Sequence, residues 1–182
     1  MRKALYLFWQ EGYSQTSIRD LERSLEISAP SIYNTFGNKE KLFLMVLEYY
    51  NQNIVNTRVV EFLGRSSDPL ADLEIFFLTA VDPDDPEKQR WGCLLTNTAT
   101  ELPWAGTEIT RLIKTGLDLI KRAFSDELLR AQEKGLLNTN RDVLLGASEL
   151  LISYEGLLVM ARLGYSSSTL KLYVNNIINH YR

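Results

Sequence analysis

The sequence predicts an all-α protein: an N-terminal three-helix unit followed by a larger helical bundle. Three observations lead there. Apolar residues recur at the spacing of a helix face over most of the 182 residues. Period-two alternation, the mark of a half-buried strand, is nearly missing. Ser, Thr, Asn and Asp stand ahead of the apolar runs and Gly or Pro behind them, as helix starts and stops require.

The elements follow in order. Ala4, Leu5 and Phe8 share one face, ended by Gly12. Ile18, Leu21 and Leu25 mark a second helix with Thr16 or Ser17 as N-cap. Residues 28–36 form a third. Ser28 is its N-cap, and Pro30 sits in the first turn, where a missing N–H costs nothing. Gly37 stops it, and Asn38 caps a long fourth helix running to Leu63. Beyond it, residues 68–81 are helical, opened by Asp68 and Pro69. Residues 82–87, with Pro83 and Pro86, read as a loop, and residues 91–102 as a helix stopped by Pro103. Residues 107–134 carry Ile109, Leu112, Ile113, Ile120 and Phe124 on an inner side, with Gly135 as terminator. Residues 140–163 are apolar on more than one face. The last helix, from Ser168, has Leu170, Tyr173, Val174, Ile177, Ile178 and Tyr181 on one stripe. Two domains are expected, residues 1–44 and 45–182.

Composition narrows the function. With 45% apolar and 24% charged residues the chain is of ordinary globular type. No uninterrupted apolar run approaches the ~20 residues of a membrane span, so no membrane partner is expected. Arg2 and Lys3 precede a short apolar stretch, yet no small-residue cleavage site follows, so a cytoplasmic location is expected. Cys93, the single cysteine, rules out an intramolecular disulfide. The only histidine is His180, beside the C-terminus. One His and one Cys do not build a zinc site, and neither a Gly-rich phosphate loop nor a Ser-His-Asp set is present. Neither an enzyme, a metal nor a cofactor is expected. Net charge is −3, divided as +1 over residues 1–44 and −4 over the rest, which gives no basic stripe.

The segment from Gly12 therefore carries the functional argument. It reads GYSQTSIRDLERSLEISAPSIYNTFGNKEKLF. Two helices joined by a three- or four-residue turn, the second short and capped, make a helix-turn-helix unit. Ile18, Leu21, Leu25, Ile27, Ile32 and Phe36 are expected as its small core. Ala29, Ser31, Asn34 and Thr35 then face outward, sized to approach base edges in a major groove. Helix N-termini offer N–H groups to phosphate. The other reading of the same residues is a helical interaction or small-molecule-binding module without specific DNA binding.

Gly12, Thr16, Ser17, Ile18, Asp20, Leu21, Ile27, Ser28, Ile32, Tyr33, Phe36, Lys39, Glu40 and Leu42 agree, in order and without gaps, with the DNA-binding domain of the TetR family, which this segment resembles. The resemblance implies a regulator, by family default a repressor, that binds a double-stranded palindromic operator as a homodimer and answers to a small-molecule effector. It implies base or phosphate contacts at Ser28, Ala29, Ser31 and Asn34, a phosphate contact from the Tyr33 hydroxyl, and a grip on the backbone by Thr16, Ser17 and Lys39. Two positions depart from the pattern. Glu26 stands where family members often have Gly, and Ala29 where many carry Lys. The resemblance also implies a basic N-terminal arm, or a further first turn of helix one, ahead of where this sequence begins.

For the C-terminal part only the architecture carries over. The last two helices are expected to form the dimer interface, with Gly146, Ala147 and Gly156 permitting close helix approach. An effector pocket is expected among Tyr49, Asn53, Phe77, Trp91, Asn97, Trp104, Ile113 and Tyr154, aromatic with a few neutral polar tips. Glu101 and Glu155 are acids embedded in apolar runs, read as surface carboxylates or as pocket acids for a cationic ligand. The segment around Cys93 resembles a Gly-Cys-Leu stretch in a subgroup of such regulators, some of which sense electrophiles; the alternative is a small buried apolar residue.

Overall fold

The structure, a computed structural model, describes residues 1–81, 90–103, 106–137 and 140–182. Among them the regular elements are all helical. They are α1 (Arg2–Glu11), α2 (Ile18–Leu25), α3 (Ala29–Phe36), α4 (Lys39–Tyr50), α5 (Asn56–Phe62), α6 (Pro69–Val81), α7 (Leu94–Glu101), α8 (Thr107–Glu133), α9 (Val143–Arg162) and α10 (Ser167–Asn179). The expected loop at 82–87 lies outside the described residues. Two elements depart most from expectation. The fourth helix is not uniform: a π-helical turn, Asn51–Val55, separates α4 from α5. The helix expected from residue 91 starts at Leu94, because Gly92 holds φ 64°, which a helix cannot include.

Packing divides the chain into two compact units, the first of Met1–Ile54 with Leu94–Gly116, the second of Val55–Cys93 with Leu117–Arg182. The first thus extends beyond residue 44 and takes in α7 and the start of α8.

In the first unit, Ala4, Leu5 and Phe8 of α1 meet Leu42, Phe43, Val46 and Leu47 of α4, with Leu21 and Ile32 closing the core, all buried. Phe8 and Phe43 meet edge to face with centroids 5.0 Å apart. Ile27, expected in this core, is 37% exposed. It follows the left-handed Glu26 (φ 60°), and the reversal there turns its side chain outward. Gly116 lies inside α8 where a Cβ would overlap Asn51 Oδ1 and Leu95 Cδ1. Asn51, first residue of the π turn, donates through its amide to the Leu112 carbonyl at 2.9 Å.

In the second unit, α6 contacts α5, α9 and α10, and α9 packs on α10. Phe76, Phe77, Phe124 and Tyr154 form its aromatic centre; Phe77 and Tyr154 are 5.3 Å apart, as are Phe76 and Phe124. The turn before α6 is tied to α8. Buried Asp72 accepts from the Arg65 and Ser66 amides at 2.9 and 3.0 Å and faces Arg130, which pairs with Glu127 at 2.5 Å.

The face of α9 and α10 turned away from this core is apolar and uncovered. Leu145, Ile152 and Val159 recur along α9 at 59%, 73% and 45% exposure, Leu163 at its C-cap is 73% exposed, and Leu172 of α10 is 68% exposed. By length and composition alone α9 is long and apolar enough to cross a membrane. Glu149 and Glu155 interrupt the run, yet two carboxylates leave the helix apolar on average. Gly146 serves packing inside the chain, since a Cβ there would stand 3.1 Å from Leu128 and 3.3 Å from Tyr181. Gly156 opens on space where a Cβ meets nothing.

Candidate nucleic-acid interface

α2 begins at a capping box. The Asp20 amide donates to Ser17 Oγ at 3.2 Å, while Asp20 Oδ2 accepts from the Ser17 amide at 2.9 Å and its hydroxyl at 2.5 Å. Those bonds from Ser17, with Arg23 beside them, hold the Asp20 carboxyl down at about 2. Ser17 is exposed, but its hydroxyl is engaged in the cap.

α3 presents the outward surface. Its Ile32 is fully buried, whereas Ser31, Tyr33, Asn34 and Thr35 are exposed and Ala29 half-buried. A helix this short is oriented by its one anchored residue and by its caps. At its start Glu22 of α2 accepts from the Ala29 amide at 2.5 Å, and Pro30 has no N–H to offer. One free N–H of the first turn of α3 is thus taken up by a side chain from α2, while Ser28, expected as the N-cap, makes no side-chain cap bond. Ser28 and Ser31 share a hydroxyl–hydroxyl bond of 3.0 Å, also on the exposed side.

Two residues expected to grip a phosphate backbone are turned inward. Thr16 is buried and donates through its hydroxyl to the Gly12 carbonyl at 2.6 Å. Lys39 sends its ammonium into the loop between α1 and α2, donating to the Tyr13 and Thr16 carbonyls at 2.8 Å each, 4.2 Å from the centre of the Tyr13 ring. The loop's carbonyls have no helical partners, and a cation on a long stem satisfies two of them. Desolvation lowers the Lys39 pKa, with the Glu101 charge acting the other way. The exposed cations of α2 and α4 are Arg19, Arg23 and Lys41. Arg23 pairs with Asp20. Sequence reasoning passed over Arg19 and Lys41; their positions in the first turns of α2 and α4 were the available signal.

Glu101 ends α7, and its carboxylate accepts from the Tyr13 amide at 3.0 Å and the Ser14 amide at 2.6 Å. It is thus occupied in structure and not as a pocket acid. Nothing local in the sequence pairs residues 88 and 87 positions apart.

The residues expected to line an effector pocket divide between the units. Tyr49, Asn53, Asn97 and Ile113 belong to the first, and Phe77, Trp91 and Tyr154 to the second; Trp104 lies outside the described residues. Asn53 is exposed and its amide donates to the Tyr49 carbonyl at 3.0 Å. Ile113 is buried. Phe77 and Tyr154 meet in the aromatic centre, where burial pushes the Tyr154 hydroxyl up to about 12. Arg58 lies beside them. It donates to the Phe76 carbonyl at 2.9 Å and to Thr79 Oγ1 at 3.2 Å, and its guanidinium stands over the Phe62 and Phe76 rings. Cys93 is buried. Among the described residues no cluster of His, Cys, Asp and Glu is disposed to hold a metal.

Comparison with known proteins agrees with this geometry. Residues 1–46 match the family model described as bacterial regulatory proteins, tetR family, and residues 69–177 match the tetracyclin repressor-like C-terminal domain. The chain is 31% identical over 139 residues to the uncharacterized HTH-type transcriptional regulator YezE of Bacillus subtilis, covering 76% of this chain and 71% of that one. It is 28% identical over 164 residues to the HTH-type transcriptional repressor ComR of Escherichia coli, covering 90% and 78%. Among solved structures, a cysteine variant of the TetR family regulator CifR complexed with 26-base-pair operator DNA shares the fold. Its TM-score is 0.83 and its identity 23%, over 100% of this chain and 94% of that one.

Proposed function

Since this chain belongs to the TetR family of bacterial regulatory proteins and is a DNA-binding transcriptional regulator, we propose that it is a ligand-responsive repressor whose homodimer reads a palindromic operator through α3. The observation that carries the reading is α3 itself. One buried residue, Ile32, fixes it, and a contiguous surface of Ser31, Tyr33, Asn34 and Thr35 is left to meet base edges and phosphates. Ser31 and Asn34 are assigned to bases, Tyr33 to phosphate, Ala29 to close approach, and Ser17 and Ser28 to the flanking backbone. Arg19 and Lys41 take the phosphate role expected of Lys39. Thr16 and Lys39 instead shape the loop that leads into α2.

The homodimer is assigned to the uncovered face of α9 and α10. Apolar side chains at helical spacing along one face, with Gly156 open beside them, suit burial against a second copy. A groove of about 510 Å³ bordered by Glu149, Ser153, Asn176 and Ile177 continues that surface. The effector is assigned to the aromatic centre around Phe77 and Tyr154, with Arg58 and the Tyr154 hydroxyl as its polar groups. No enzymatic activity is proposed, and the location proposed is the cytoplasm, where the operator is.

The test is a titration of the protein against a duplex that it selects from randomised DNA and against random duplex, each at several salt concentrations. Asn can pair with adenine through both amide atoms, and such a contact is worth ~1–3 kcal/mol against a wrong base. Asn34→Ala should narrow the gap between the two duplexes and leave the salt slope nearly intact. An unchanged gap for Asn34→Ala and Ser31→Ala together would remove α3 as the reading element.

A further inference from the structure

We propose that Glu101 is a positioning residue for DNA reading: from the end of α7 its carboxylate latches the loop between α1 and α2, and so fixes where α2 begins. The inference rests on the DNA-reading assignment above and adds to it the element that sets the posture of the helix-turn-helix.

Local preference does not place a glutamate there. A carboxylate at a helix C-terminus meets the negative end of the macrodipole, an unfavourable position. It is held by tertiary bonds: both oxygens are used, Oε2 by the Tyr13 amide and Oε1 by the Ser14 amide. Bonds from N–H to a carboxylate are the stronger kind. Gly12 is shaped to the same contact. It has φ 83°, and a Cβ there would stand 2.8 Å from Glu101 Oε2. On its other side the loop is held by Lys39, which takes the Tyr13 and Thr16 carbonyls. One peptide segment is thus gripped by an anion through its amides and by a cation through its carbonyls. The next residue is Ser17, the N-cap of α2. Loosening either grip shifts the start of α2 and, through the bond from the Ala29 amide to Glu22, the placing of α3 as an intact helix whose own backbone bonds are kept. A displacement of α7 is therefore felt at the reading surface.

The experiment uses the full chain with Glu101→Gln, which keeps the length and one acceptor oxygen, and Glu101→Ala, which keeps neither. Amide exchange is followed at Tyr13 and Ser14 and, as internal controls, at Ile32 and Leu42. Affinity is measured for a duplex selected by the unaltered protein and for random duplex. Faster exchange at Tyr13 and Ser14 with the controls unchanged is expected. With it, selected-duplex affinity should fall about three- to ten-fold for Gln and further for Ala. The salt slope should stay unaltered, because the number of phosphates neutralised is the same. Unchanged exchange at Tyr13 and Ser14, or unchanged discrimination despite faster exchange, overturns the latch alone. Equal acceleration at Ile32 and Leu42 also overturns it, since that is general destabilisation. An unaltered protein that enriches no sequence overturns the DNA-reading assignment and the latch with it, an outcome distinct from the others.

Discussion

Lys39 and Arg19 are both cations near the N-terminus of a helix, and only their surroundings separate them. Lys39→Ala should lower the stability of the first unit and weaken binding to the selected duplex while leaving the salt slope in place, because its ammonium serves the Tyr13 and Thr16 carbonyls. Arg19→Ala should lower the salt slope by ~1 unit per monomer, the signature of one phosphate left without its cation. The reverse pairing, read by titration at several salt concentrations, would return Lys39 to the DNA. Glu26 is a second residue-scale case. It ends α2 at φ 60°, ψ 36°, a conformation costing a non-glycine residue ~1–2 kcal/mol. Its bond to Lys3, 2.8 Å long but largely exposed, offsets little of that. Glu26→Gly should raise unfolding stability by ~0.5–1 kcal/mol, and Glu26→Ala, which keeps the strain and loses Lys3, should not. Denaturant titration distinguishes them.

Among elements, α2 and the α4–α8 crossing are the ones whose chemistry makes definite demands. The Asp20 carboxyl is held at about 2, chiefly by its bonds from Ser17. A folded-state pKa below the unfolded value gives stabilisation that is present above the unfolded value. That contribution fades as pH falls through the ordinary carboxylate range and is gone below about 2. The start of α2 should therefore loosen between those limits, and Asp20→Asn should show the loosening already at neutral pH, as faster amide exchange at Ile18–Leu21. The crossing of α4 and α8 depends on Gly116, since any Cβ overlaps Asn51 and Leu95. Gly116→Ala improves intrinsic helix propensity, yet overpacking of this kind costs ~1–3 kcal/mol and outweighs it. A variant at least as stable as the unaltered protein in thermal unfolding would show that the crossing can relax.

At the scale of the whole molecule the uncovered face of α9 and α10 makes the strongest demand. Ile152 and Leu172 stand 73% and 68% exposed, and uncovering such residues in pairs is costly for a chain in water. Introducing Glu at Ile152 and Leu172 should give a folded monomer by sedimentation, with helical content retained and specific DNA binding abolished. That second effect follows because a two-fold operator is bound with both heads or weakly with one. A monomeric unaltered protein at micromolar concentration would instead remove the second copy as the occupant of that face.

The sequence by itself determined the helices, because each is written locally in its caps, its glycines and its apolar spacing. It also determined the reading motif, whose residues lie within one short stretch. Ser31, Tyr33 and Asn34 are legible as outward because Ile32 beside them must face inward. What faces inward at long range was not legible. The Tyr13 and Thr16 carbonyls that Lys39 serves, 26 and 23 positions away, are visible only in the fold. Glu101 looks like a surface or pocket acid until its two amide partners, 88 and 87 residues away, are placed beside it. The π turn at Asn51–Val55 and the need for Gly116 arise from two helices approaching closely, which neither helix encodes alone. The physical reason is one of range. Caps and apolar periodicity are settled within a few residues along the chain, whereas a buried polar partner or a close crossing is settled by which distant segment arrives beside it.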